Sequence, residues 1–315
     1  MGVRLARGGG RCFLASMKPD GNRPRFGKPA SAGAPVPSQP QNAAILKLLG
    51  DEDASTVKLV LQQLLADRRT ARPRIEGLLR EASGAAAGEL RSALQQLRRS
   101  EALETLRARC ARIETLAELE DFCWKLALAR DPLADIEEAR FQLDAWAAAV
   151  RSAVAPGASE MERLEALRDV LAEEVGLRGN AEQYYDRANS FLDRVIATRR
   201  GIPISLTAVY MLVGARADIV VEPIGMPGHF LARVGNSYLD PFHEGLVVDG
   251  EALRALLQKT GEPEADRALD VALPLHLMAQ RMVVNLINID AQDADAPEDS
   301  PWPLVLGWLR GMDRE

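Results

Sequence analysis

The part of this chain that most constrains its fold is the run Gly-Ile-Pro-Ile-Ser-Leu at residues 201–206. Proline is favoured at the first position of a helix, because its fixed φ suits the helix and its missing N–H would have no partner there. Pro203 therefore predicts the start of a helix over residues 203–215. Short runs typical of strands follow this helix, over residues 219–224, 229–234 and 237–239. This order of elements predicts an α+β unit in the second half of the chain.

Two of these strands are predicted to form a hairpin, because Gly235-Asn236 is a favourable two-residue turn. The turn places Val234 opposite Ser237. Side chains alternate along a strand, so His229 and Asp240 fall on one face as diagonal neighbours. We expect a hydrogen bond between the imidazole and the carboxylate, and a one-residue slip in the register would abolish it.

A helix start followed by a histidine and an aspartate on successive strands is the order of a cysteine-protease-like triad. Asp240 would orient His229, but the position expected for the nucleophile holds Pro203, which has neither a thiol nor an N–H to stabilise an oxyanion. Ser205 is the alternative nucleophile. It lies about 200° around the helix from Pro203, so a local hydrogen bond is the other interpretation of its hydroxyl.

A metal interpretation would add two further residues to the pair, His243 and Glu244. Their spacing matches no strong zinc motif, and Pro241 interrupts the strand between the ligands. The three cysteines of the chain show no CxxC spacing, which disfavours a zinc ribbon and a disulfide framework. We therefore expect no metal and no cofactor, and a reducing, cytoplasmic setting.

The first half of the chain has the composition of a helical region. We predict a disordered basic leader at 1–41, a helical region at 42–130 with a HEAT-like first pair, and an acidic linker with a short C-terminal helix at 291–315. Within the helical region, the apolar spacing predicts helices over residues 74–82, 85–100, 101–112 and 116–129.

Charge and hydropathy exclude two classes of partner. Residues 1–40 carry seven basic side chains and one acidic side chain, and the rest of the chain carries 32 basic and 44 acidic side chains. The folded part should therefore repel nucleic acid. No run reaches the roughly 18 apolar residues of a membrane span, so we expect no membrane partner.

Several short motifs occur in an order that resembles one bacterial family, the SirB-type transglutaminase-like proteins. They are Gly176-Leu177-Arg178-Gly179-Asn180, Tyr184-Tyr185-Asp186, Asn189-Ser190-Phe191-Leu192, Arg199 to Leu206, Pro227 to Leu231 and Asp240-Pro241-Phe242. The resemblance covers residues 134–290 and implies a papain-like α+β core, with His229 and Asp240 in the triad positions. It also implies that a proline at the cysteine position is common in this branch. The family name is associated with regulation of virulence genes.

The first functional prediction is a non-catalytic, pseudoenzyme-like domain with a binding or regulatory role and a protein or peptide partner. We expect its binding groove to be formed by Asn189, Pro203, His229, Phe230, Asp240 and Phe242. One alternative is a cysteine-independent hydrolase or acyltransferase, with His229 as base, Asp240 as its orienting partner, and Ser205 or water as the attacking group. Another alternative is that the helical first half is a protein-interaction scaffold.

Overall fold

The computed structural model describes residues 39–226, 228–251, 253–254, 269–293 and 299–311. The predicted basic leader at 1–41 lies almost wholly outside the described residues, as do residues 294–298 and 312–315 of the predicted acidic linker and C-terminal segment. Pro227, which belongs to one of the motifs, also lies outside them.

Five helices make up the first part of the described chain: α1 (Gln39–Leu49), α2 (Ala54–Leu65), α3 (Arg68–Leu79), α4 (Gly84–Cys110) and α5 (Leu116–Arg130). The predicted break between residues 100 and 101 is wrong, because α4 is one helix of 27 residues. Its buried side chains, among them Leu97, Ala102 and Leu106, continue past that point, and neither Ser100 nor Glu101 is a strong helix breaker.

The second part mixes helices and short strands. Its helices are α6 (Ile136–Ala153), α7 (Glu160–Arg168), α8 (Leu192–Thr198), α9 (Pro203–Arg216), α10 (Leu275–Gln292) and α11 (Trp302–Leu309). Its strands are β1 (Arg178–Gly179), β2 (Arg200–Gly201), β3 (Glu222–Met226), β4 (His229–Val234), β5 (Ser237–Asp240) and β6 (Leu246–Val248). A π-helical turn (Asp169–Glu174) extends α7, and a 3₁₀ turn (Arg187–Ser190) precedes α8.

The strands form a small antiparallel sheet in the order β3-β4-β5-β6, and β1 and β2 form a separate parallel pair. The β4–β5 register is the predicted one, with Val234 opposite Ser237 and Arg233 opposite Tyr238. A helical first part followed by helices and a small antiparallel sheet confirms the predicted α+β class.

The main core surrounds α9, whose residues 203–214 are all buried. This helix packs against α6 on one side and β4 on the other. The buried cluster around it extends from Leu106 to Val305 and includes α5, while a second cluster, from Leu49 to Leu94, is formed by α1 to α4. The core that positions α9 therefore draws on helices from both parts of the chain. The predicted boundaries of the helical region and of residues 134–290 stay predictions.

Two further observations bear on the setting of the protein. Among the described residues, no helix has both the length and the apolar character that crossing a membrane requires. Cys110 and Cys123 are buried free thiols, and burial raises the pKa of the Cys110 thiol to about 12. A thiol so protonated is a poor nucleophile at neutral pH.

Candidate binding site at the start of helix α9

Helix α9 starts at Pro203, as predicted, and the β1–β2 pair fixes the position of this start. Gly179 lies opposite Gly201 in that pair, and the Asn180 N–H donates to the Gly201 carbonyl at 3.0 Å. The backbone just before Pro203 is thereby held against the segment that begins at Arg178.

His229 and Asp240 are hydrogen bonded, with 2.7 Å between His229 Nε2 and Asp240 Oδ2. Asp240 is buried, and the His229 side chain is 26% exposed. When Nε2 carries the proton and donates it to the carboxylate, Nδ1 of the neutral ring is left as an acceptor. The pair thus fixes the orientation and the tautomer of the imidazole.

The Asp240 carboxylate accepts three further hydrogen bonds. Its Oδ1 receives the backbone N–H groups of Phe242 and His243 at 3.0 and 3.2 Å, and its Oδ2 lies 2.8 Å from His243 Nδ1. Burial alone would raise the pKa of Asp240, but the hydrogen bonds and charges of His229 and His243 outweigh it, so this pKa lies below its ordinary value. Asp240 is therefore an ionised anchor for the loop that follows β5.

Phe242 supports the other side of the imidazole. Its carbonyl accepts the Gly179 N–H at 2.9 Å, and its ring meets the His229 ring edge-on with centroids 6.3 Å apart. A side chain at position 179 would not fit, because a Cβ there would lie 2.5 Å from the Phe242 ring. Gly179 therefore joins the strand end that holds His229 to the β1–β2 pair that holds Pro203.

Pro203 and His229 line the same small cavity, which has a volume of about 90 Å³. The lining residues are Tyr184, Pro203, Ile204, Gly228, His229, Phe230, Arg281 and Asn285. Three of the six residues predicted for the groove thus line it directly, namely Pro203, His229 and Phe230. Asp240 and Phe242 contact His229 instead, and they hold its ring in place.

Asn189, the sixth predicted groove residue, is 2% exposed. Its side-chain N–H groups donate to the Gln183 and Tyr184 carbonyls at 2.7 and 3.2 Å, and its Oδ1 accepts from Asn180 at 3.0 Å. The side chain therefore fixes the segment that carries Tyr184, which itself lines the cavity.

Ser205 is fully buried, and its hydroxyl bonds to the main chain. The oxygen lies 2.6 Å from the Asn189 carbonyl and 3.0 Å from the Ile202 carbonyl, and it accepts the Ile202 N–H at 3.1 Å. These contacts fit the interpretation of Ser205 as a serine that bonds locally at the helix start.

A second cavity of about 290 Å³ adjoins the first, because Tyr184 and Asn285 line both. It extends along α10 past Asn288 and Gln292. We refer to the two cavities, which share Tyr184 and Asn285 as lining residues, together as the groove.

His229, Asp240 and His243 are also grouped closely enough to hold a metal ion, with one ligand atom from each within 4.8 Å of the others. Glu244, the fourth residue of the metal interpretation, lies 3.7 Å from Arg178 instead. The hydrogen bonds from both histidines and from two backbone N–H groups account for this arrangement around Asp240, so the geometry does not require a metal.

Comparison with known proteins agrees with this architecture. Residues 137–283 match the family model of the transglutaminase-like superfamily, and this match covers slightly less than half of the chain. This chain carries a transglutaminase-like superfamily domain. The matched residues contain α9, the sheet and the first half of α10. The cavity at Pro203 and His229 therefore lies mostly within the transglutaminase-like domain, and the part of the groove from Asn285 onward lies just beyond the match.

Curated relatives share this part of the chain. A UPF0162 protein of Xylella fastidiosa is 32% identical over 177 residues, which are 53% of this chain and 63% of that protein. A UPF0162 protein of Vibrio cholerae is 30% identical over 44% of this chain and 53% of its own length. Mouse F-box only protein 21 is 27% identical over 41% of this chain and 22% of that protein. The chain thus spans less than two thirds of each of these relatives, and no solved structure matches.

Sequence reasoning missed several residues of the groove, above all Arg281 and Asn285. They lie four residues apart, so they share one face of α10. Tyr184 was noted only as part of a motif, because nothing local indicates that the segment folds over Phe242, at 5.9 Å between ring centroids.

Proposed function

We propose that the transglutaminase-like domain is a non-catalytic domain that binds a protein or peptide partner. The observation that supports this most is the shared cavity of Pro203 and His229. A nucleophile at the start of α9 would face the oriented histidine, and proline provides no side-chain nucleophile.

The inference extends to the position of the missing cysteine. We infer that Pro203 stands where transglutaminase-like enzymes hold their nucleophile, as the SirB-type resemblance implies. A thiolate at a helix start is stabilised by the helix dipole and by a neighbouring imidazolium. Pro203 removes this thiolate and also one backbone N–H that would stabilise an oxyanion.

The geometry gives little support to serine catalysis. A serine nucleophile has to donate its proton to the base, within about 2.6–3.2 Å. The Ser205 hydroxyl is buried and within bonding distance of two backbone carbonyls, so it serves the helix start. The hydrolase alternative then depends on a water molecule, activated by His229, as the attacking group. An activity assay has to test this possibility.

A peptide partner fits the shape of the site. The groove runs from the small cavity at His229 into the larger one along α10, and exposed Asn288 and half-buried Tyr184 offer polar and apolar contacts. A cytoplasmic location and a regulatory role belong to the same proposal, and the buried free thiols Cys110 and Cys123 fit a reducing compartment.

Activity is the first test. Purified wild-type protein and His229→Ala would be incubated with glutamine-containing peptides and a fluorescent amine, and separately with peptide amides and esters. We expect equal, background-level turnover from both proteins. Turnover by the wild type that His229→Ala abolishes would overturn the non-catalytic proposal.

Site-specific crosslinking tests the binding role. A photo-crosslinking amino acid in place of Asn288 lies in the groove, and one in place of Glu137, 84% exposed on α6, serves as the control. We expect a discrete protein adduct from position 288 that is missing from position 137 and that excess competing peptide removes. Equal adducts from the two positions would contradict a binding role for the groove.

A further inference from the structure

Arg281 is a partly buried arginine in the wall of the small cavity. Its Nη2 donates to the Met226 carbonyl at 2.8 Å, and its guanidinium lies over the Phe230 ring, 4.4 Å from the centroid. Gly225 leaves room for it, because a Cβ at that position would lie 2.8 Å from Nη1. The guanidinium is thus held in one place by β3, β4 and the ring of Phe230.

Arg281 lacks the counter-charge that several other partly buried arginines have in the described part of the chain. Within the described residues, no carboxylate lies within ion-pairing distance of Arg281. The paired arginines, each with its carboxylate within 2.8 Å, are Arg130 with Asp193, Arg187 with Asp290, Arg216 with Glu120 and Arg233 with Glu222. Burial lowers the pKa of Arg281, in keeping with a charge that has lost water without gaining a carboxylate partner.

The other polar side chains of the cavity are also able to donate hydrogen bonds. Tyr184 offers a phenol hydroxyl and Asn285 an amide as donors. When His229 is protonated, its Nδ1 also carries a hydrogen that it can donate. Burial raises the pKa of Tyr184, so its hydroxyl keeps its proton at neutral pH. None of the eight lining residues is acidic. The lining therefore complements an anion.

We propose that this cavity binds a carboxylate group of the partner peptide, with Arg281 as its main contact and Asn285 and Tyr184 as further donors. The size fits, since about 90 Å³ is roughly three times the share of one water molecule in the liquid. The carboxylate belongs either to the C-terminus of a peptide or to an Asp or Glu side chain. This proposal rests on the proposed binding role of the groove, and it names the chemistry that the groove recognises.

The test is a titration of the full chain by NMR, with the Gly228 amide and the Asn285 side-chain amide as reporters. N-Acetylglycine represents a C-terminal carboxylate. N-Acetylaspartic acid α-(N-methylamide), whose only free carboxylate is on the side chain, represents an Asp side chain. N-Acetylglycinamide is the neutral analogue. We expect saturable shifts with one of the two carboxylates and none with the neutral analogue, and the better carboxylate identifies the source. Equal effects of acid and amide, no saturable shift, or tighter binding of inorganic phosphate would overturn the proposal.

Two arginine variants make the titration specific. Arg281→Gln should weaken carboxylate binding by roughly tenfold or more, since a charge-assisted hydrogen bond is lost. Arg130→Gln is the matched control, because Arg130 also stacks on a phenylalanine, 4.8 Å from the Phe191 centroid, but is paired with Asp193. It should leave the binding unchanged. Asn285→Ala gives a second variant that keeps the Arg281 contact to β3, in case Arg281→Gln unfolds.

The outcomes separate this proposal from the binding role itself. Crosslinks from position 288 with no carboxylate preference would overturn the carboxylate proposal and leave the groove as a binding site. Saturable binding of a carboxylate that depends on Arg281, with no crosslinked partner, would support the carboxylate site and contradict a protein partner.

Discussion

At the scale of single residues, the site consists of a histidine whose ring is fixed by its neighbours and which lines the same cavity as a proline. Asp240 fixes Nε2 of His229, Phe242 supports the ring, and the cavity begins at Pro203. The side chains that hold His229 keep the arrangement a catalytic base needs, and in the proposed function Pro203 stands in the place of the group that such a base would activate. This combination fits a fold that is retained for recognition.

The Asp240 carboxylate gives a pH-dependent prediction. Its pKa is lower in the folded protein than in the unfolded chain, so it stabilises the fold above about pH 4, and this stabilisation is lost as the pH falls through the folded-state value. Asp240→Asn should cost about 1–3 kcal/mol of unfolding free energy at pH 7 and less at about pH 3.5. Urea unfolding at both pH values measures this, and a pH-independent cost would contradict the assigned role.

Ser205 gives a stability prediction that also bears on its suggested catalytic role. Ser205→Ala leaves the Ile202 N–H and the Asn189 carbonyl without their hydroxyl partner in a buried place, which should cost about 1–2 kcal/mol of unfolding free energy. Urea unfolding measures the loss, and the groove crosslink from position 288 should persist. A variant as stable as the wild type would show that the hydroxyl does not hold the start of α9.

At the scale of elements, the sequence predicted those whose signals are local. Pro203 marks a helix start and Gly235-Asn236 sets a hairpin register, and both are present. The helix predicted over residues 74–82 starts too late, because α3 begins at Arg68 under an Asp67 cap and contains Pro73. Prediction of the cavity would have required Arg281 of α10. Its hydrogen bond to the Met226 carbonyl joins residues that are 55 positions apart in the chain, and such a contact leaves no local signal in the sequence.

The C-terminal helix α11 offers a test of packing between elements. Trp302 is 5% exposed and packs on Phe191, with ring centroids 5.7 Å apart. Trp302→Ala should lower the unfolding free energy by about 3–5 kcal/mol. Leu304→Ala on the same helix is the control, because Leu304 is 52% exposed, and it should change stability by about 0.5 kcal/mol or less. Similar effects of both changes in thermal or urea unfolding would rule out a docked helix.

At the scale of the whole molecule, the helical first part and the transglutaminase-like domain share buried surface. Leu119, Phe122 and Leu126 of α5 belong to the same buried cluster as α9 and α10. The sequence motifs begin after α5, so they do not reveal this shared packing. Apolar periodicity alone does not tell which neighbour a helix face packs against.

A pair of fragments tests the shared core. Residues 112–311 keep α5, and residues 134–311 lack it, so the second fragment exposes the faces of α9 and α10 that α5 covers. We expect the shorter fragment to unfold at lower urea concentration and to bind more of a hydrophobic dye. Equal midpoints for the two fragments would show that α5 is dispensable for this core.

The central claim is that Pro203 occupies the place of a nucleophile beside His229, and Pro203→Cys tests it most directly. Every protein compared in this experiment carries Ser in place of Cys12. Apart from the introduced thiol, only the buried Cys110 and Cys123 then contribute to the background rate of alkylation. The account predicts that the introduced thiol reacts with iodoacetamide at pH 6–7, well below the ordinary thiol pKa of about 8.5, and that adding His229→Ala slows this reaction several-fold. A thiol whose alkylation follows an ordinary thiol pKa and is indifferent to His229→Ala would contradict the account.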